Sequence, residues 1–279
     1  MTPFVRSERL SWRPVFVIVA LGLPLQVGCD VFDGYKPGAT SLLSIFEPPS
    51  PEEAADWALD DYNTNNRYRG LVLLTNSDFG GEEPYLELYR ERLSDDDPGV
   101  RQAAARALGL HGEPSDAIAV SRLLAADPDR LVRVSAARSL QRLHNPEVVG
   151  ALVDRSSSEN ETYAEVRAEA ANALGQYRDR AVLQKLVAAL NDRSLTVNHN
   201  ALQSLQTLTG QNFGYDANLW LGWLDEQDNP FAAARQYTYP GFDRPRHPVE
   251  WLPFVPKPPK APDAPPVGLR RDVTASAER

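Results

Sequence analysis

Four histidines and one cysteine are the residues of this 279-residue chain with the most versatile chemistry. The histidines, His111, His144, His199 and His247, are scattered and show none of the short spacings with which proteins bind zinc. Metal catalysis is therefore not expected, and we assign neither a metal nor another cofactor. Because Cys29 is the only cysteine, a disulfide within one chain is excluded.

Three further stretches contain residue types that catalysis or metal binding uses. Asp78-Phe79-Gly80 shares its letters with the magnesium-binding motif of protein kinases, but the glycine-rich loop, strand lysine and His-Arg-Asp element of those enzymes are absent. Asp95-Asp96-Asp97 could attract calcium, although the EF-hand spacing is missing and acids before a helix are explained as caps. Ser156-Ser157-Ser158 lacks the sequence of a nucleophile elbow. The sequence thus predicts a protein that is not an enzyme.

Composition places the chain among globular proteins and disfavours one class of partner. It is 42% hydrophobic and 24% charged, which is enough apolar material for a core. The formal net charge is −9. An acidic surface repels phosphate backbones, so we expect no nucleic-acid partner.

Residues 1–28 have the pattern of a signal peptide. A start with three arginines precedes the apolar run VFVIVALGLPLQVG, which is too short for a membrane span. The run ends at Gly28-Cys29, and LQVGC resembles the lipobox of bacterial lipoproteins, although Leu25 stands one place further from the cysteine than is usual. The resemblance implies that Cys29 carries lipid and anchors the protein on the exported side of a bacterial cell membrane. An ordinary signal peptide or anchor with an incidental cysteine remains the alternative.

The folded body is predicted to follow a flexible tether. Residues 29–51 mix Gly, Pro and Ser without a sustained period, as is typical of a linker. Ser50-Pro51-Glu52-Glu53 then combines an N-cap serine, a proline at the first helical position and an acid that can reach back. Helical structure is expected from residue 52.

A helical pattern repeats along residues 52–227. Similar segments start 31 to 34 residues apart, and each is followed by a second helical pattern, so the repeating unit is two helices joined by a turn. The copies are VRQAAARALG (100–109), VRVSAARSLQ (132–141), VRAEAANALG (166–175) and VNHNALQSLQ (197–206), with a fainter one, NRYRGLVLLT, at 66–75.

The alanines of these copies predict close packing between helices. Val100, Ala104, Ala107 and Leu108 share one face of a helix, and other copies have alanine at matching positions. In a stack of hairpins each first helix is enclosed by its partner and by the neighbouring repeat. Small side chains allow the axes to come close.

The repeats resemble the HEAT-like repeats of the phycobilisome lyase family, in which an acid precedes V-R-x-x-A-A-x-A-L-G. That resemblance implies a ladder of turn and inter-repeat contacts, and acids before a helix also suit its N-terminal amides as caps. The fourth copy departs from the pattern with Asn198 in place of arginine. An arginine stripe that grips an anionic ligand is the alternative. The ladder residues are Asp95, Arg101, Asp127, Arg133, Glu161, Arg167 and Asp192.

The predicted fold class is all-α: a right-handed α-α superhelix, a HEAT-like α-solenoid of about five helical hairpins. Its C-terminal end contains Trp220 and Trp223 behind Asp216, a predicted N-cap. Two tryptophans fit a cap that closes the stack, and an aromatic patch for a partner is the alternative. Residues 228–279 are proline-rich and are expected to be disordered or extended. Two alternatives for this tail are left open. It docks on the solenoid through Tyr237, Tyr239, Trp251 and Phe254, or it is a free tail.

A solenoid offers an extended surface rather than a deep pocket, so the expected function is binding of another, unidentified protein by a monomeric scaffold. The contact surface is predicted on the second helices, with the Trp220 and Trp223 rings as a further candidate. The longer sequence from 46 to 227 looks like bacterial HEAT-repeat envelope proteins of no established activity. The alternatives are an accessory or ligand-binding module related to phycobilin lyases and a purely structural envelope protein. The candidate contact residues on the second helices are Tyr85, Tyr89, Arg90, Arg122 and Lys185.

Overall fold

The computed structural model describes residues 50–241, 245, 247–251 and 263–269. In these ranges the regular structure consists of α-helices, two short 3₁₀ helices and isolated β-bridges, which confirms the all-α prediction. The α-helices are α1 (Pro51–Ala58), α2 (Thr64–Thr75), α3 (Glu83–Arg92), α4 (Pro98–His111), α5 (Asp116–Ala126), α6 (Arg130–Leu140), α7 (Val149–Ser156), α8 (Ala164–Leu174), α9 (Arg180–Ala189), α10 (Leu195–Thr209) and α11 (Ala217–Glu226).

The helices form two layers. The even-numbered helices α2 to α10 are the first helices of the repeats and pack side by side, and the odd-numbered helices α3 to α11 are the second helices. Helix α1 packs on α2 at the N-terminal end of the stack. Each of the second helices α3, α5, α7 and α9 packs closely against the first helix of the following repeat, so consecutive hairpins interlock.

Capping residues fix the two ends of the array. The hydroxyl of Ser50 accepts the amide of Glu53 at 3.2 Å, and the carboxylate of Asp216 accepts the amides of Asn218 and Leu219. Both N-caps are confirmed, and both follow from the short polar side chains that satisfy first-turn amides.

Small side chains line the contacts between first helices, as the repeat alignment predicts. On α4, Val100, Ala104, Ala107 and Leu108 are fully buried, and Ala105 is buried as well, so the helix is enclosed on more than one face. Because the backbones come close, short side chains bond directly to main-chain oxygens of the neighbouring helix. Three such bonds run from Ser135 Oγ to Gln102 O (3.1 Å), from Ser139 Oγ to Ala105 O (2.7 Å) and from Ser204 Oγ to Ala171 O (2.8 Å).

Part of the proline-rich tail is packed on the solenoid as an arm, defined here as residues 235–241 and 263–269. Tyr237 is buried, and its hydroxyl lies 2.7 Å from Asn172 Oδ1, while the Tyr239 ring lies 4.3 Å from the guanidinium carbon of Arg142. Val267 pairs with the turn after α6: its amide donates to Arg142 O at 2.8 Å and its carbonyl accepts the amide of His144 at 2.9 Å. The free-tail alternative is therefore wrong for 263–269, because main-chain hydrogen bonds join this segment to the turn after α6 and to Tyr239.

Two other predictions about the tail have separate outcomes. Trp251 is 77% exposed and does not anchor the arm, whereas Phe254 and the end of the chain after 269 lie outside the described residues. Within the described ranges, none of the helices combines the length and the apolar character needed to cross a bilayer.

Candidate functional site

One edge of the solenoid, where a second helix leads into the next first helix, contains the predicted ladder. Arg101 Nε and Nη2 donate to the two carboxylate oxygens of Asp127 at 2.7 and 3.0 Å. Its Nη1 donates to the carbonyls of Asp95 and Asp96 at 2.9 and 3.0 Å. One guanidinium thus joins its own turn to the acid of the next repeat, in the bidentate geometry that favours arginine over lysine.

The same arrangement occurs at three other junctions. In each, the arginine bridges a carboxylate of the following repeat and two carbonyls of its own turn. The Nε-to-carboxylate distance is 2.8 Å in the pairs Arg67–Asp95, Arg133–Glu161 and Arg167–Asp192. Sequence reasoning missed Arg67, although the faint copy at 66–75 places it at the position of Arg101. At Asn198 the series of arginines ends, and the amide oxygen of that residue is buried and has no hydrogen-bond partner among the described residues.

The ladder acids are not the helix caps that the sequence suggested. Asp97 caps α4 and Asp129 caps α6, and both stand two residues after the ladder acid. Asp95 Oδ1 instead accepts the amide of Asp97 at 3.0 Å, and Asp127 Oδ1 accepts that of Asp129 at 2.9 Å. The acid therefore orders the turn before the helix and holds the arginine, because an acid five residues before the repeat valine lies outside the first helical turn.

Three of the ladder carboxylates are held in their charged form. Burial alone raises the pKa of Asp95, of Glu161 and of Asp192, but bonds from the paired arginine and from a backbone amide outweigh it, so each pKa lies below its ordinary value. In the Arg101–Asp127 pair the side chains are 12% and 3% exposed. The arginines thus face protein acids that neutralise them, which speaks against a stripe open to an anionic ligand.

The residues predicted on the second helices do not share one environment. Tyr89 is fully buried in α3, so its assignment to a contact surface is wrong, because it points between the layers. Tyr85 is half-buried against Phe79, with 5.6 Å between ring centroids. Arg90 donates to Asp116 at 2.7 Å and to Glu83 at 2.7 Å, and it therefore joins α3 to α5.

Arg122 and Lys185 do lie on an open surface, which we call the second-helix face and define by the outward sides of α5, α7 and α9. Both side chains are exposed, and neither takes part in an ion pair within the described ranges. Between them α7 presents Asp154 and Gly150, both exposed, and a methyl group added to Gly150 would meet nothing within 4 Å. This face presents opposite charges on adjacent helices.

The two tryptophans close the C-terminal end of the core. Trp220 is fully buried, donates from Nε1 to Gly214 O at 2.9 Å and meets Phe213 edge-on at 4.9 Å between centroids. Trp223 is half-buried against the same pair. The exposed apolar residues of α11 are instead Leu219 and Leu221.

Arginines at helix ends form a second set of contacts that the sequence did not reveal. Arg155 of α7 donates to Ala125 O at the end of α5, and Arg180 of α9 donates to Leu224 O at the end of α11. Arg92 of α3 donates to Ala58 O at the end of α1 at 3.2 Å. Cations suit these carbonyls because the C-terminal end of a helix is electronegative. No signal in the primary sequence pairs residues 30 to 44 positions apart.

Cys29, the predicted lipid attachment site, lies outside the described residues. Within the described part of the chain, His, Cys, Asp and Glu side chains do not gather in groups of three that could hold a metal ion.

Two helix layers that repeat in one direction, with the same Arg–acid tie at four junctions, define an α-solenoid. Residues 52–141 and 120–206 match the family model for HEAT repeats. The chain belongs to the HEAT-repeat family.

Part of this chain is also similar to part of a known protein. A HEAT repeat-containing taxis protein of Halobacterium salinarum is 29% identical over 133 residues, which is 42% of this chain. The match covers only 33% of that relative, so the chain spans about a third of its length.

Three solved structures are similar to this chain at low sequence identity. The complex of CpcE and CpcF of phycocyanin lyase from Nostoc is 16% identical, with a TM-score of 0.45 and coverage of 56% of this chain and 99% of that one. An engineered protein is 20% identical, with a TM-score of 0.44 and coverage of 65% and 93%. Human deoxyhypusine hydroxylase is 16% identical, with a TM-score of 0.26 and coverage of 71% and 94%.

Proposed function

We propose that this protein is a lipid-anchored scaffold of the bacterial cell envelope that binds another protein through its second-helix face. The repeats form the rigid part, and Cys29 is the proposed attachment point. A HEAT-repeat solenoid suits this role because it presents a long ordered surface whose core does not depend on the exposed residues.

The observation that carries the proposal is the different use of cations on the two surfaces. On the ladder edge, four arginines are bound to buried acids of the protein itself. On the second-helix face, Arg122 and Lys185 remain exposed on either side of Asp154. Exposed charges in a fixed order favour a partner of complementary charge pattern, and they act on specificity and on the association rate. The small residues of α7 permit close approach.

Site-specific photo-crosslinking in intact cells tests this surface. A photoreactive amino acid at position 122 or 185 is expected to yield an adduct of one common mass, because the two positions would contact one partner. Arg106 is the matched control, since it is an exposed arginine of α4 in the first-helix layer. Adducts that are equally abundant at position 106, or none at 122 and 185, would contradict the proposal.

Charge reversal separates binding from folding. The double variant Arg122→Glu/Lys185→Glu is expected to lose the adduct formed by a photoreactive residue at position 154, while the circular dichroism spectrum and melting temperature stay unchanged. The control Arg106→Glu/Arg193→Glu makes the same change of charge on other surfaces and is expected to keep the adduct. Equal loss in both double variants would assign the effect to net charge rather than to the face.

Lipid attachment is tested separately at the cysteine. Cells grown with radioactive palmitate are expected to label the wild-type protein and not the Cys29→Ala variant, and the labelled protein is expected in the membrane fraction. A wild-type protein without label, or label that survives the substitution, would refute the anchor and leave the protein-binding face untouched.

A further inference from the structure

A trough lies between the C-terminal arm and the solenoid, at the edge opposite the ladder. Its floor is formed by the turns that follow α6 and α8, and its two ends are formed by the arm segments 235–237 and 268–269. The volume is about 730 Å³. Sites for small organic ligands typically measure about 300–1,000 Å³, so the trough is of the size that such a ligand fills.

The floor of the trough is fixed by buried hydrogen bonds. Gln176 donates from Nε2 to Leu140 O at 2.8 Å, so its Oε1 is left to accept from His144 Nδ1 at 3.0 Å. The His144 ring stacks on Tyr177 with 5.0 Å between centroids, and the Tyr177 hydroxyl donates to Asn145 O at 3.2 Å. The imidazole is held in one orientation, and Nε2, its other nitrogen, makes no hydrogen bond to the described residues.

The walls combine apolar surface with a cationic group of the arm. Pro146, Val149 and Leu208 contribute apolar area, and Arg235 contributes a guanidinium group. Asp179 is the one carboxylate among the described lining residues, and its Oδ1 already accepts the amide of Ala181 at 2.7 Å. A guanidinium group beside apolar surface favours a ligand that combines negative charge with an apolar body.

We infer that this trough binds a small organic anion, with an apolar body on the proline and leucine surface and an anionic group at Arg235. Arg235 is exposed, and its backbone amide is tied to Thr207 O at 2.7 Å, so its position is set by the arm. A guanidinium recognises carboxylate or sulfonate oxygens through charge-assisted hydrogen bonds. The arm is therefore the part of the site that supplies charge, while the solenoid supplies the floor.

A pair of fluorescent probes that differ by one sulfonate group tests the inference on the full chain. The probes are 1-anilinonaphthalene-8-sulfonate and its neutral analogue N-phenyl-1-naphthylamine. We expect the sulfonate to bind the wild-type protein at one site and the Arg235→Gln variant to bind it about tenfold or more weakly, the loss typical of one hydrogen bond to a charged group. The affinity of the neutral probe should be the same in both proteins.

Two further variants separate the trough from general surface effects. Gln236→Glu places an acid in the lining next to Arg235 and is expected to weaken the sulfonate alone. Arg122→Gln removes one exposed arginine from the second-helix face and is expected to leave both probes unaffected. Wild-type protein that does not bind the sulfonate, equal affinity in wild type and Arg235→Gln, or equal losses for both probes would each overturn the inference. The crosslinking test depends on Arg122, Lys185 and position 154, whereas this test depends on Arg235 and Gln236. Failure here is therefore distinguishable from failure of the protein-binding proposal.

Discussion

Adding one methyl group at Gly109 should destabilise the solenoid, although alanine has a higher helix propensity than glycine. Gly109 lies in the last turn of α4 against α6, and a Cβ there would lie 2.6 Å from Ser139 Oγ, 2.7 Å from Ser139 Cβ and 2.8 Å from Ser139 Cα. Ser139 is buried, and its hydroxyl bonds to Ala105 O and Ser135 O. The neighbouring helix must therefore move, because the backbone atom cannot turn away as a flexible side chain would.

The size of the expected stability change follows from two opposing effects. Replacing glycine by alanine inside a helix contributes about 0.5–1 kcal/mol of stability, whereas overpacking a close contact costs about 1–3 kcal/mol. For Gly109→Ala we expect a net loss of roughly 1–2 kcal/mol. In a folded region of this size that corresponds to a melting temperature lower by about 2–8 °C.

Gly222→Ala is the matched control, because Gly222 lies inside α11 and a Cβ there would meet nothing within 4 Å. This variant should be more stable than the wild type by about 0.5–1 kcal/mol. Urea unfolding followed by circular dichroism measures both, and the expected gap between the two variants is about 2 kcal/mol. If both glycine variants gain the same stability, close approach of the first helices is refuted as the reason for the small residues.

Three other perturbations follow from the contacts described. Arg101→Gln leaves Asp127 as an unpaired buried charge and should lower the free energy of unfolding by about 3–5 kcal/mol in urea titrations; a loss below about 1 kcal/mol would show that the ladder is not stabilising. Because the pKa of Asp192 is lower in the folded state than its unfolded value of 3.8, its stabilising contribution is complete above that value and is lost as the pH falls below it. Unfolding free energy should therefore decrease from about pH 5 to about pH 3, and a flat profile would contradict this. Tyr237→Phe removes the hydrogen bond to Asn172 and should cost about 1 kcal/mol, whereas Tyr237→Ala should release the arm and speed proteolysis after residue 234; identical cleavage rates in the two variants would argue against a tyrosine anchor.

The repeats were predictable because the packing of helices requires particular residue types at short, regular spacings in the sequence. Apolar residues at helical spacing, alanines at matching positions and a recurrence of 31 to 34 residues are all visible in one dimension. Capping is local as well, so Ser50 and Asp216 could be assigned from their neighbours. The pairing of Arg101 with Asp127 is of intermediate range, since it depends on which helices are adjacent, and the repeat supplies that information.

The sequence by itself determined that this chain is a stack of helical hairpins, that Ser50 and Asp216 cap helices, and which residue types recur at each junction. The tertiary structure alone decided that Tyr89 is buried, that the ladder acids tie turns rather than cap helices, and that the tail returns to cover the edge near His144. These features depend on contacts between residues far apart in the chain, such as Tyr237 with Asn172. A periodic pattern shows which side of a helix is apolar, but only the positions of distant segments determine what covers that side.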